Sequence, residues 1–267
     1  MENNKNKKEH RALSKVIFVG AIALAFLLVL GILTSIVMLF FPVKQIEVEG
    51  DSRYDYSKII EDSGVKIGSR LFYVNKSKAE NKILQEFPYL ESVEVKSYFP
   101  NKIKISIKEF EEIYLLRHER GFCYVNGSFE ILEIVEHTPS FEDFSGIYIK
   151  LKNAISGEIG DTYTGDDSLR AKELIEHIKQ YGFYQYLNIV DVEEKYDSCF
   201  IVGKRYKFVL GSMADIGEKI DNILKVVFSD TFNREENCVI NATDKKNVVL
   251  RTLSEENILK EFDFCEN

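Results

Sequence analysis

The sequence is poor both in the residues that usually carry catalysis and in those that build linkers. It has only four histidines, His10, His118, His137 and His177, and no two are spaced four apart. The paired imidazoles of a helix-borne zinc hydrolase site are therefore missing. The four cysteines, Cys123, Cys199, Cys238 and Cys265, form no CxxC and no Cys/His pair at ligand spacing. The first three read as small apolar residues of strands, and no essential disulfide is expected. With four prolines and 15 glycines in 267 residues, and no low-complexity tract, the chain is not a stalk or a long linker. Positive charge is also short: the net charge is −8, which argues against a nucleic-acid or anionic-lipid surface.

Catalytic signatures fare no better. No phosphate-binding GxxxxGK[ST] loop, GxSxG elbow or EF-hand loop occurs. An S-x-x-K match at Ser63 and Lys66 has Gly64 inside it, which disfavours the helix needed to face the lysine to the serine. It has no K-[ST]-G or S-D-N companion and reads as a turn after a short helix. The acidic pairs Asp166-Asp167 and Glu235-Glu236 read as a cap and an exposed turn. His118 and His137 fall near loops, and His177 reads as a solvated helix residue. No catalytic residue, no cofactor and no metal ligand is expected.

What the sequence does have is an uncharged run of 26 residues from Val16 to Phe41. As a helix it reaches roughly 39 Å, enough to span a hydrocarbon core of about 30 Å. The tail before it, residues 1–15, carries a net +3, so the lysine and arginine bias puts the N-terminus in the cytoplasm and everything from Pro42 onward outside. A cleaved signal peptide has an apolar region of only about 7–15 residues and a small-residue cleavage site. This run is longer and closes on Met38-Leu39-Phe40-Phe41-Pro42, so an uncleaved anchor is expected. Gly31, Thr34 and Ser35 set small residues on one stretch of it, a weak helix-contact signal.

After the anchor the periodicity changes repeatedly. Val43 to Val48 alternates as a strand, and Tyr56 to Ser63 forms a short amphipathic helix stopped by Gly64. A second helix runs from Ser77 to about Phe87, with Ser77 and Glu80 reading as a capping box. Strands Leu90–Tyr98 and Lys102–Lys108 follow, the second aiming Ile103, Ile105 and Ile107 one way and its lysines the other. Further strands are expected at Ile113–Arg117, Phe122–Val125, Glu130–Val135, Gly146–Leu151, Leu187–Glu193, Cys199–Val202 and Tyr206–Leu210. Asp166–Tyr181 reads as a helix capped by Asp166 or Asp167, with Leu169, Leu174, Ile175 and Ile178 on its apolar face. Met213–Phe228 reads as another, with a stripe of Ile216, Ile220, Ile223, Leu224 and Val227. Tyr181, Phe183, Tyr184 and Tyr186 pack a helix end against the sheet. Val239–Asn241 and Asn247–Leu250 close the regular structure, before an acidic tail expected to be poorly ordered.

The segment after the anchor resembles a POTRA domain, and specifically that of the bacterial cell-division family DivIB/FtsQ. The resemblance is carried by Leu71-Phe72, Phe87-Pro88-Tyr89-Leu90, Val93-Glu94-Val95 and Phe99-Pro100-Asn101-Lys102-Ile103, with the strand ending at Glu109. It continues in Gly203–Gly211 and the helix containing Lys219-Ile220. The chain departs from the family in having Glu109-Phe110-Glu111-Glu112 where Arg-Pro is usual. It also has Asn126-Gly127 in place of an Asp-x-x-Gly hairpin, read as a two-residue turn.

The resemblance implies an α+β architecture: a single transmembrane helix followed by a POTRA domain and a mixed β-sheet domain with packed helices. The expected bounds are 1–15 cytoplasmic tail, 16–41 transmembrane helix, 43–111 POTRA domain, 112–251 β domain and 252–267 acidic tail. It further implies a non-enzymatic divisome scaffold at the division septum. Such a scaffold binds DivIC/FtsB-like and FtsL-like bitopic proteins and, through them, the septal peptidoglycan synthase. A membrane-anchored cell-envelope enzyme and a POTRA-bearing export or engulfment component are the alternatives. The family's partner docks at the end of the β domain, which points to Val248, Val249, Leu250 and Arg251, with Lys245 and Lys246 beside them. On that basis Val249→Pro is expected to weaken partner binding by deleting a donor at a free edge.

Overall fold

The computed structural model describes residues 18–36, 41–136, 146–229, 232 and 237–253. The chain divides into two compact units, Met1–Glu109 and Phe110–Asn267.

The first unit opens with α1 (Phe18–Ile36), a helix long and apolar enough to cross a membrane and buried nowhere against the protein. The remainder of the expected span, residues 16–17 and 37–40, and the basic tail lie outside the described residues. The hydroxyls of Thr34 and Ser35 donate to the carbonyls of Leu30 and Gly31, at 2.8–3.0 Å. Both polar groups are thus satisfied within the helix, as a lipid environment demands.

Beyond it come β1 (Gln45–Glu49), α2 (Tyr56–Ser63), a 3₁₀ turn at Leu71–Tyr73, α3 (Lys76–Glu86), β2 (Leu90–Tyr98) and β3 (Lys102–Glu109). The three strands form one sheet in the order β1-β3-β2, with β1 parallel and β2 antiparallel to β3. Ile103, Ile105 and Ile107 are buried and meet Ile59 of α2 and Ile83 of α3 in a common core. The alternate lysines of β3 face out, where Lys102 pairs with Glu47 and Lys104 with Glu49.

The capping of α3 differs from the sequence reading. Its cap is Asn75, whose side chain accepts from Lys78 N–H at 3.0 Å, and Ser77 lies inside the helix. Glu80, read as the reciprocal capping residue, instead accepts from Val95 N–H at 2.8 Å and ties α3 to β2. Glu109, the last residue of β3, accepts from Ser52 Oγ and Arg53 N–H, both at 2.7 Å. Its partial burial opposes ionisation, yet these donors and the Arg53 guanidinium hold its carboxyl below the usual range.

The second unit is a nine-stranded mixed sheet in the order β12-β11-β10-β9-β8-β7-β4-β5-β6. Its strands are β4 (Ile113–His118), β5 (Gly121–Asn126), β6 (Ile131–Val135), β7 (Ile147–Lys150), β8 (Leu187–Asp191) and β9 (Ser198–Val202). They continue with β10 (Tyr206–Gly211), β11 (Cys238–Asp244) and β12 (Asn247–Thr252). Helices α4 (Asp166–Lys179) and α5 (Ile216–Val227) bury their apolar stripes in its main core. Leu115, Tyr148, Ile189 and Ile201 form a smaller cluster on the opposite face. Phe200 is fully buried and stacks on Phe208, with ring centroids 4.8 Å apart, and on Phe183 at 6.0 Å. Of the aromatic group at the end of α4, Tyr181, Phe183 and Tyr184 pack against this core, whereas Tyr186 faces solvent.

Several local readings need correction. Helix α4 is capped by Gly165, and Asp166 and Asp167 occupy its first turn. Asp167 is buried and accepts from Tyr163 Oη at 3.0 Å. Leu169 points to solvent, and Ala171 joins Leu174, Ile175 and Ile178 on the buried face. Asn126-Gly127 is not a two-residue turn. Asn126 Oδ1 accepts from Ser128 N–H at 2.9 Å and Glu130 N–H at 3.1 Å, so the connection lengthens to Gly127-Ser128-Phe129. Phe129 takes a positive φ of 67° so that its ring can reach the core beside Tyr114. His118 sits buried at the end of β4, its Nδ1 accepting from Arg120 N–H and its Nε2 3.1 Å from Gly157 O. The readings for His137, Glu235-Glu236, Cys265 and the tail beyond Leu253 fall outside the described residues.

Cys123, Cys199 and Cys238 are buried thiols outside any disulfide. Burial pushes the thiols of Cys123 and Cys199 up to about 12, and a thiol that stays protonated is a poor nucleophile. Iodoacetamide at neutral pH is expected to leave all three unmodified in the folded chain and to label them in denaturant, as read by peptide mass spectrometry. Rapid native labelling of any of the three would show that its strand opens.

Candidate functional site

Among the described residues the sheet of the second unit ends on β12, which pairs with β11 alone. How that edge is held begins three elements earlier. Gly211 closes β10 with φ 67°, and a Cβ there would approach Thr243 Cγ2 of β11 to 2.8 Å, so a side chain would push the neighbouring strand away. Lys219, one helical element later, is buried and donates its Nζ to the carbonyls of Leu210 at 2.8 Å and Ser212 at 2.7 Å. These bonds fasten α5 to the end of β10. Burial pushes the Lys219 ammonium down from its ordinary value.

From α5 the support passes to the β11–β12 turn. Asn222 Nδ2 donates to Lys245 O at 2.6 Å, and Lys245 Nζ lies 3.2 Å from Asp215 and 3.1 Å from Glu218. Lys245 is therefore engaged within the chain, while Lys246 is exposed. Asp244 accepts from Lys246 N–H and Asn247 Nδ2, both at 2.9 Å, which shapes the turn.

Along β12 the side chains split between the two faces. Asn247, Val249 and Arg251 border a shallow concavity of about 640 Å³, with Lys207 and Val209 of β10 and Val239 and Asn241 of β11. Val248 points the other way, into the core under α5, and Leu250 shares its face. Val249 is 61% exposed and Leu250 44%, an aliphatic pair left open where edges usually carry charge.

Backbone direction follows from the register. Val239 pairs with Arg251 and Asn241 with Val249, and Leu253 N–H donates to Asn237 O at 2.8 Å. In an antiparallel ladder hydrogen-bonded positions recur every second residue, so Val249 and Arg251 turn their N–H groups inward to β11. Val248 and Leu250 turn theirs outward. The sequence locates the edge, but the donor it suggests is the wrong one: Val249 N–H belongs to the sheet, and the outward donor beside it is Leu250. Lys219 enters the sequence reading only within the Lys219-Ile220 resemblance, with no role assigned, and Asn222 not at all, although a lysine interrupting an apolar helix stripe is a signal for the first.

The S-x-x-K match has no catalytic geometry. Ser63 Oγ donates to Ile60 O at 2.6 Å and accepts from Val65 N–H at 3.0 Å, closing a turn. Among the described residues no three His, Cys, Asp or Glu side chains converge as a metal site.

Residues 41–110 match the POTRA domain of FtsQ type. That domain follows the one helix among the described residues that is long and apolar enough to cross a membrane, which defines a POTRA protein with a candidate membrane anchor. The similarity continues past it. The cell division protein DivIB of Clostridium acetobutylicum is 29% identical over 192 residues, 71% of this chain and 75% of the relative. DivIB of Clostridium botulinum is 27% identical over 131 residues, 48% of each chain. The cell division protein FtsQ of Corynebacterium glutamicum is 31% identical over 122 residues, 45% of this chain and 54% of the relative. The chain is similar to the DivIB/FtsQ family of bacterial cell-division proteins, and that similarity supports a role in division.

Proposed function

We propose that this protein is a non-enzymatic scaffold of the division septum, with its N-terminus cytoplasmic and its two units outside. It recruits and regulates septal peptidoglycan synthesis by contact with DivIC/FtsB- and FtsL-like bitopic proteins. The partner adds an extended segment to β12, between the exposed Val249 and Leu250 side chains, and Lys246 and Arg251 meet its acidic residues. The observation that carries this reading is a sheet edge with outward-turned amides, braced from behind by α5 and lined by exposed aliphatic side chains. Edges of this kind bind by strand addition, in which main-chain bonds supply affinity and alternate pockets supply specificity.

The test is a full-length fluorescent fusion followed through the cell cycle, with a second fusion after Asn267 of a reporter active only outside the cytoplasm. The expected result is a band at mid-cell before constriction and an active reporter. A protein spread over the envelope or confined to the engulfing membrane of sporulating cells would instead support an export or engulfment component. Turnover of wall fragments by the purified chain would overturn the non-enzymatic reading.

A further inference from the structure

We propose that the first unit carries a binding site for the headgroup phosphate of an anionic membrane lipid, distinct from the β12 edge. Between α2 and α3 lies a cavity of about 350 Å³ whose lining includes Lys66, Arg70, Lys78 and Lys82 and no acidic residue. In a chain of net charge −8, four cations converging without a carboxylate are not the average surface. Among the described residues none of the four is held in an ion pair, so their charge is available to a ligand. The arginine lies 5.9 Å from the Tyr73 ring centroid, which gives the cavity an aromatic wall.

The location selects the lipid over other anions. The loop that supplies Lys66 and Arg70 is fastened to the stretch of chain leaving the anchor. Val43 N–H donates to Ser69 O and Gly68 N–H to Val43 O, each at 2.8 Å, and Leu71 N–H donates to Phe41 O at 2.9 Å. Phe41 follows the end of α1 by five residues, at most about 18 Å of extended chain. The cavity mouth is thus tied within headgroup range of the bilayer. The same loop exposes Ile67, 70% accessible, Tyr73, 66%, and Phe72, 43%. Cations alternating with exposed aromatic and aliphatic side chains match a membrane interface, where rings sit at headgroup level and basic residues meet lipid phosphate.

The chain contains no tryptophan, so Tyr73→Trp in the full-length protein creates a single local reporter. Its emission would be measured in phosphatidylcholine nanodiscs with and without phosphatidylglycerol, using a headgroup nitroxide lipid as quencher. The expected result is blue-shifted, strongly quenched emission in the anionic discs, reversed by high salt. Adding Lys66→Gln and Lys82→Gln, both exposed positions, is expected to raise the anionic lipid needed by roughly 10- to 30-fold. The basic N-terminal tail also attracts anionic lipid, but it is unchanged in that comparison. Identical emission in both kinds of disc overturns the proposal without recourse to the double variant. A saturable response to inorganic phosphate in phosphatidylcholine discs, with none to phosphatidylglycerol, also overturns it by assigning the cavity to a free anion.

Discussion

Leu250→Pro is expected to leave the fold intact and to weaken partner binding roughly 10- to 100-fold, the cost of leaving one main-chain acceptor of the added strand unpaired. Proline is tolerated on an edge strand when the missing N–H faces away from the sheet. Leu250 meets that condition, because the inward donors of β12 are Val249 and Arg251. Val249→Pro is the informative contrast. It deletes the bond to Asn241 and is expected to cost about 1–3 kcal/mol of stability as well as affinity. Thermal unfolding measured beside binding separates the two: only Leu250→Pro should lose its partner at an unchanged midpoint. A Leu250→Pro protein that is folded and binds normally would show that β12 does not receive a strand.

The largest effect on stability is expected from Phe200→Ala. Phe200 is fully buried on β9, and its ring stacks with those of Phe183 and Phe208. Truncation removes both contacts and leaves a cavity that the stacked neighbours cannot refill, at about 3–5 kcal/mol. For a domain of this size the midpoint should fall by roughly 6 to 20 °C. Since β9 supports β10 and, through it, β11 and β12, partner binding should fail at temperatures where the parent still binds. A shift of only a degree or two would mean that the aromatic stack is not what holds the sheet together.

Much of this architecture is legible in the amino-acid order, for physical reasons. The apolar run of the anchor, the Ile103, Ile105 and Ile107 face of β3 and the stripe of α5 each repeat over enough residues to fix period and direction. Helix ends are less legible. Ser77 and Asp166 are good capping residues, but Asn75 and Gly165 sit two and one positions earlier, where the chain actually turns. Leu169 suits the buried face of α4 by residue type, although its angle around the helix sets it apart from Leu174, Ile175 and Ile178. Asn126-Gly127 carries a hairpin signal, yet the side chain of Asn126 bonds two amides further along and the buried Phe129 ring demands another residue.

At the candidate site, chain order alone marks Asn247–Leu250 as a terminal strand. Which amides face outward is a property of the pairing with β11, which no local pattern encodes. Lys245 reads as a cation open to a partner because Asp215 and Glu218 lie about thirty positions away, and only the return of the chain past α5 brings them together.

The central claim is strand addition at β12, and residue-resolved amide hydrogen exchange on the full-length protein tests it most directly. The comparison is the protein alone against the protein saturated with a DivIC/FtsB-like partner. Val249 and Arg251 should be protected in both states, while Val248 and Leu250 exchange freely alone and become protected only in the complex. Unchanged exchange at Val248 and Leu250, with new protection confined to another strand or helix, would contradict it.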